Sequence, residues 1–278
     1  MQKLLVQLSD THIRRPGQLA YRRVDTADYL ARAVAAVNRL PQPADAVVVT
    51  GDLTDFGQAD EYAHLRALLS PLAAPVYLMP GNHDDGAALR RAFPDHAELH
   101  QDASGDRVCW AVDVGGLRLV AVDTTVPRAA HGELESAQLA WLDRTLAAAP
   151  AAPTIVAVHH PPFPTRIGHM DDIGLVHGAD AFAAVLARHP QVERVVAGHL
   201  HRSIQCRWAG TVAMTCPSTA HQVVLDLAPE APSAFRMEPP GFLVHAWTPP
   251  APLVTHLAYV EEFAGPFPFH DEHGELID

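Results

Sequence analysis

The chain has 278 residues, 48% of them hydrophobic and 19% charged, with a formal net charge of −12. That length fits one large domain, or one domain with a small appendage. The negative charge opposes binding to a nucleic acid polymer, which rests on Lys and Arg neutralising phosphates. It leaves a small phosphorylated substrate open, because bound cations would dominate the local field. No apolar run reaches the roughly 18 residues that cross a bilayer, so no membrane partner is expected.

The first apolar run, residues 4–8, follows Lys3 and stops at Ser9-Asp10. It is too short for the apolar region of a secretory leader, and a cytoplasmic location is expected. It reads as a core strand. Runs at 46–50, 76–79, 117–122, 155–158 and 194–197 are short, rich in β-branched residues and continuous in hydrophobicity, as in strands covered on both faces. Between the first two, residues 25–40 carry Leu30, Ala33, Val34, Val37 and Leu40 at helical spacing, with Asp25 or Thr26 to cap the start. Residues 61–69, 136–146 and 180–188 read as helices too. The alternation predicts an α/β fold.

After His201 the character changes. Residues 204–208 and 211–214 flank Ala209-Gly210, a two-residue hairpin signal. Strand-like runs at 242–246 and 254–260 follow among prolines. A β-rich cap or oligomerisation region is expected over 203–264, with the core at 1–202 plus the tail 265–278. Cys109, Cys206 and Cys216 lack C-x-x-C spacing and read as small apolar residues, although a Cys206–Cys216 bond across the hairpin is compatible with the pattern.

Five polar clusters sit where strand-like runs end: Asp10-Thr11-His12, Gly51-Asp52, Gly81-Asn82-His83-Asp84, His159-His160 and Gly198-His199-Leu200-His201. Ligand sites in α/β sheets gather beyond such ends. Singly, each cluster reads as an ordinary turn; together they supply the mixed oxygen and nitrogen donors of a two-metal hydrolytic site. Asp10 and His12, two apart on an extended segment, can share one metal. Asp52 is the natural bridge, Asn82 offers a neutral carbonyl oxygen, and His159, His199 and His201 offer imidazoles. On a strand, His160 would face away from His159. Asp84 and Asp85 read as caps or supports, Asp55 and Asp171 as solvated loop residues, and Arg14, Arg15, Arg22 and Arg23 as a solvated face. Histidines outside the clusters, His189 and His245 among them, default to the surface.

D-x-H, G-D, G-N-H-D, H and G-H-x-H, in this order over residues 10–201, resemble the signature of the calcineurin-like metallophosphoesterases. The resemblance implies a four-layer αββα sandwich and two divalent or trivalent metal ions, drawn from Fe, Mn, Zn or Co. Carried over, Asp10, His12, Asp52 and His201 match one metal's ligands, and Asp52, Asn82, His159 and His199 the other's. His83 matches a non-ligand catalytic histidine that meets phosphate. Segments 77–85, 159–162, 219–223 and 257–272 are similar to the bacterial class III cyclic-nucleotide phosphodiesterase group, most of all to its glycerophosphodiesterase branch. That resemblance implies hydrolysis of small phosphodiesters such as glycerophosphodiesters through a metal-bridging hydroxide, and homo-oligomers, either dimers or hexamers. His221 then matches a second catalytic, substrate-facing histidine, and Asn82, His83, His199, His221 and Tyr21 meet substrate. Segments 211–217 and 233–252 carry no recognisable specificity motif. A 3′,5′-cyclic nucleotide or a phosphomonoester is therefore an alternative substrate, and a non-catalytic metal-binding scaffold is the alternative of a different class.

Overall fold

The protein is seen here in a computed structural model that describes residues 2–101 and 106–277. In chain order, β1 (Lys3–Leu8), α1 (Thr26–Asn38), β2 (Ala46–Thr50), α2 (Ala59–Leu69), β3 (Val76–Met79) and α3 (Gly86–Ala92) alternate as the apolar pattern requires. Then come β4 (Trp110–Val114), β5 (Leu117–Ala121), the short β6 (Gly132–Glu133), α4 (Ser136–Ala147) and β7 (Thr154–Ala157). They are followed by α5 (Gly168–Asp171), β8 (Leu175–His177), α6 (Ala179–Leu186) and β9 (Val192–Ala197). The remaining strands are β10 (Ile204–Trp208), β11 (Thr211–Thr215), β12 (Gln222–Val223), β13 (Phe235–Arg236), β14 (Gly241–Trp247) and β15 (Val254–Tyr259). No helix among the described residues is long and apolar enough to cross a membrane.

Two sheets form the centre. One runs β15-β14-β1-β2-β3, the other β10-β11-β9-β7-β5-β4. In the first sheet β1, β2 and β3 are parallel while β14 and β15 join antiparallel; in the second, β11, β9, β7 and β5 are parallel and the outer β10 and β4 antiparallel. The two-residue period of a strand sorts the second sheet's side chains between two cores. Leu119, Ala121, Ile155, Ala157 and Val196 join the core shared with the first sheet and α1. Their neighbours Val120, Val122, Val156, Val158 and Val195 join Leu142 and Leu146 of α4 and Phe182 and Val185 of α6. Both faces are thus dry, which is why these strands read as continuous apolar runs, and the layers are helix, sheet, sheet, helix. Asp25 caps α1 by accepting from Asp28 N at 3.1 Å, while Thr26 Oγ1 donates to His12 O at 2.9 Å and ties the helix to the first polar cluster.

The strands divide differently from the expected boundary after residue 202. β10 and β11 extend the second sheet, because β11 pairs in parallel with β9; β14 inserts beside β1, and β15 closes the first sheet. β10, β11 and β14 each turn an apolar face into a core, whereas β15 stays largely exposed and contributes Ala258. Of the segment 203–264, the β12–β13 ribbon stands outside both main sheets, and the tail placed with the core is exposed from 261 to 277. The hairpin turn is as expected, with Ala209 and Gly210 at φ 49° and 86°. Cys206 faces Ala213 across that ladder, not Cys216, so the hairpin disulfide does not form.

Candidate metal centre

The polar clusters lie side by side because the parallel strands of both sheets end at one edge. Past β1 and β2 the two chains keep exchanging backbone bonds: Asp10 N to Gly51 O at 3.1 Å, His12 N to Asp52 O at 2.9 Å, Ile13 N to Leu53 O at 3.1 Å. Asp10, His12, Asp52, His199 and His201 all have positive φ, between 44° and 69°. Non-glycine residues rarely adopt that region, and it persists where surrounding structure enforces it, often at functional sites. Asp84 does much of the enforcing. Its carboxylate accepts from Leu53 N and Gly81 N at 2.9 Å, Thr54 N at 3.2 Å and Tyr62 OH at 3.0 Å, which locks the loops after β2 and β3 together. Asp85 caps α3, accepting from Ala88 N at 2.6 Å. Glycine is required where the loops meet: a Cβ on Gly81 would strike Asp52 N and Oδ1, one on Gly51 His159 Nδ1, and one on Gly198 Ser9 Oγ and Thr50 O.

Asp10, His12, Asp52 and His201 form a buried group whose ligand atoms all lie within 4.8 Å of one another. His12 commits its Nδ1 proton to Asp55 Oδ1 at 3.3 Å, and His201 commits its own to His221 O at 3.0 Å. The Nε2 atoms are therefore both lone-pair ends, and they face each other at 3.1 Å. Only a proton or a metal cation between them reconciles that arrangement. Asp52 Oδ2 lies 3.6 Å from His12 Nε2, and Asp10 Oδ1 lies 3.6 Å from His201 Nε2.

A second convergence adjoins it. His159 donates Nδ1–H to Thr50 O at 2.8 Å. Its Nε2 lone pair then faces oxygens, Asn82 Oδ1 at 3.1 Å and Asp52 Oδ1 at 3.4 Å. His199 Nδ1 is 3.0 Å from the same Asn82 oxygen. Asp52 thus turns one oxygen to each group, the geometry of a bridge. The ionisations show the same demand for positive charge. Burial disfavours a charged His159, yet the Asp52 carboxylate beside it carries its pKa up to about 9. Burial likewise opposes a raised His12, and the Asp55 bond with the Asp52 and Asp10 charges outweighs it. Burial lifts the Asp10 carboxyl to about 6 against the pull of His159. His199 falls to about 3 through burial and the charge of His159, which leaves a neutral ring free to ligate. The donor set fits two metal ions.

A cavity of about 390 Å³ opens above these groups. His83 lines it with its side chain about one-third exposed. Its N donates to Asp52 Oδ1 and its Nδ1–H to Asp55 O, both at 2.9 Å, so Nε2 is left to meet a substrate. His221 lines the cavity from the loop before β12; its ring centroid is 4.6 Å from that of His201, and its Nδ1 is buried without a partner. Tyr21 and Phe235 flank His221 at 5.2 and 5.1 Å between centroids. All nine residues singled out by the sequence therefore meet at one place, as does Tyr21.

Four readings need correction. Asp55 is no solvated loop residue: it is 5% exposed, orients His12, and holds Arg14 at 2.9 Å, so Arg14 also leaves the solvated face. Its position three after Asp52 in Gly-Asp-Leu-Thr-Asp was the available signal. His160 does not point away from His159, because β7 ends at Ala157 and the strand alternation ends with it; the two rings meet edge to face at 4.9 Å. Both His160 nitrogens are spent, on Thr124 Oγ1 at 2.8 Å and Ala130 O at 3.1 Å. His189 and His245 are buried, at 8% and 0% exposure. Asp171 organises its own loop by accepting from Thr165 N at 2.7 Å and Arg166 N at 2.9 Å.

The arrangement has relatives. The model of the calcineurin-like phosphoesterase family matches residues 4–203. A probable glycerophosphodiester phosphodiesterase GpdQ of Arcobacter nitrofigilis is 35% identical over 99% of this chain and 100% of its own length. A cAMP/cGMP dual specificity phosphodiesterase of Mycobacterium tuberculosis is 37% identical over 81% of this chain and 70% of its own. Among solved structures, a dimetal phosphatase from Danio rerio shares the fold with a TM-score of 0.68 at 17% identity, covering 94% of this chain and 97% of its own. The chain belongs to the calcineurin-like phosphoesterase family.

Proposed function

We propose that the protein is a phosphodiesterase that cleaves small phosphodiesters such as glycerophosphodiesters at a centre of two metal ions. Asp10, His12, Asp52 and His201 would hold one ion, and Asp52, Asn82, His159 and His199 the other; iron, manganese, zinc and cobalt all suit these donors. The observation that carries the reading is Asp52, whose two oxygens face two separate sets of ring-nitrogen lone pairs. When bound, the ions would supply an acidified water and Lewis-acid neutralisation of the phosphoryl oxygens. The rest falls to the side chains. His83 presents Nε2 to the phosphoryl group or the departing alkoxide; with Nδ1–H held by Asp55 O, it delivers a proton there as the imidazolium. His221 and Tyr21 line the space for that alcohol. Asn82 fixes its carbonyl oxygen between His159 and His199, and Asp55 keeps the protons of His12 and His83 on their outer nitrogens.

A 3′,5′-cyclic nucleotide is the second reading, and the cavity wall favours it. Away from the metal groups and the two other histidines that wall is Tyr21, Met170, Ile173, Val223 and Phe235 with Ala130, Ser233 and Ala234, and it holds no charged side chain. Such a surface suits a planar base better than an ethanolamine cation. Turnover of glycerophosphoethanolamine, cyclic AMP and an aryl phosphodiester, measured side by side with supplied manganese, separates the readings. Hydrolysis of none of the three would remove the enzymatic proposal and restore the scaffold.

We further place the protein in the cytoplasm as a homo-oligomer. The thiols of Cys206 and Cys216, which do not pair, support the first. Exposed Tyr259, Phe263, Phe267 and Phe269 along β15 and the tail support the second. The cap role narrows to residues 216–240, which carry His221 and the β12–β13 ribbon over the cavity.

A further inference from the structure

A buried polar chain runs between the two sheets, directly beneath the proposed metal pair and outside the ligand set. Gln7 on β1 is fully buried. Its Nε2 donates to Thr50 Oγ1 at 2.9 Å and to Ala197 O at 3.0 Å. Its Oε1 faces His245 Nε2 at 3.2 Å, and His245 Nδ1 meets Thr255 Oγ1 at 2.9 Å. Both donors and the acceptor of one amide are satisfied, and the His245 ring is oriented from its far side by a hydroxyl. An amide in a dry interior is tolerated only when satisfied in this way, and a satisfied buried network specifies one arrangement of the parts it joins.

What it joins matters. Thr50 ends β2 in the first sheet and precedes Gly51-Asp52; its carbonyl also receives the His159 Nδ1–H at 2.8 Å. Ala197 ends β9 in the second sheet and precedes Gly198 and His199. Thr50 Oγ1 donates onward to Ser9 Oγ at 2.8 Å, next to Asp10. One side-chain amide therefore grips the last residues of two strands, from different sheets, that deliver the bridging carboxylate and the G-H-x-H ligands. We propose that Gln7, oriented by His245, is a positioning residue that sets the spacing between the two halves of the metal centre. The proposal rests on the two-metal reading of the site.

Gln7→Met keeps the volume and removes both donors. The test is titration of the metal-stripped protein with Mn2+ by calorimetry, together with the electron paramagnetic resonance spectrum of the loaded protein. Wild type is expected to take up two ions with a spin-coupled spectrum. The variant is expected to bind one of them roughly 10–100-fold more weakly, as loss of supporting groups typically does, and to lose the coupling. Loss of thermal stability alone would not produce that spectral change. Two ions bound as in wild type, with coupling intact, would overturn the proposal. If Gln7→Met does not fold, Thr50→Val removes one acceptor while keeping the β-branched shape, and the same two outcomes decide. Failure of wild type to bind a coupled pair would instead count against the two-metal reading, so the two failures are distinguishable.

Discussion

At the scale of single residues, the site is a problem in proton placement. Asp55, the His221 carbonyl and the Thr50 carbonyl take the Nδ1 protons of His12, His201 and His159, and so aim three bare nitrogens inward. Such supporting groups fix tautomer and ring orientation in metal sites. Asp55→Asn should therefore leave the protein folded but weaken metal binding and turnover by about 10–100-fold; wild-type values for both would show that Asp55 orients nothing. The ligands themselves were legible in the sequence because each sits at the end of an apolar run beside a glycine or another donor. Asp55 was less legible: its position three after Asp52 is a signal of proximity to the site but not of burial. Its environment is built by Arg14 and His12, some 40 residues earlier in the chain. His160 was misplaced for a local reason: a strand's alternation was extended three residues past the end of β7 at Ala157.

At the scale of elements, the interior strands and the four long helices were readable because burial on both faces, or on one stripe, writes itself into the sequence. The fate of the strands after His201 was not readable. Whether β14 pairs beside β1 or folds into a separate cap depends on partners more than 200 residues distant, and nothing local encodes that choice. The short β12–β13 ribbon has too few residues to carry a pattern. It is held by Arg202, which donates to Val223 O at 2.7 Å and to the Glu238 carboxylate at 2.6 Å. Phe235 on this ribbon packs on Tyr21 and His221. If the ribbon shapes the leaving-group side of the cavity, Phe235→Ala should raise KM for cyclic AMP with little change in kcat, because the contact is equally present before and during reaction. An unchanged KM, or a loss confined to kcat, would remove the ribbon from substrate recognition.

At the scale of the whole molecule, the two sheets are joined by a core that holds neutral imidazole as well as hydrocarbon. Burial drives His245 down to about 3, with the charge of Arg194 adding to it, while the unfolded chain would titrate near the ordinary histidine value of about 6.5. A folded pKa below the unfolded one means that the unfolded state binds more protons in between. Stability is then complete above about pH 6.5 and is lost as pH falls toward 3. His245→Gln keeps a donor toward Gln7 and removes the titration, so its urea midpoint should fall less than that of wild type between about pH 7 and 5. Equal losses would show that His245 does not contribute to acid sensitivity.

The central claim is that Asp52 joins two metal ions in one phosphodiester-cleaving centre. Metal analysis of wild type and Asp52→Ala, each loaded with manganese and desalted, addresses it most directly when paired with turnover of an aryl phosphodiester. Wild type should retain two ions per chain and hydrolyse the diester; Asp52→Ala should lose most of the metal and all measurable turnover. An Asp52→Ala protein with wild-type metal content and wild-type turnover would contradict the account.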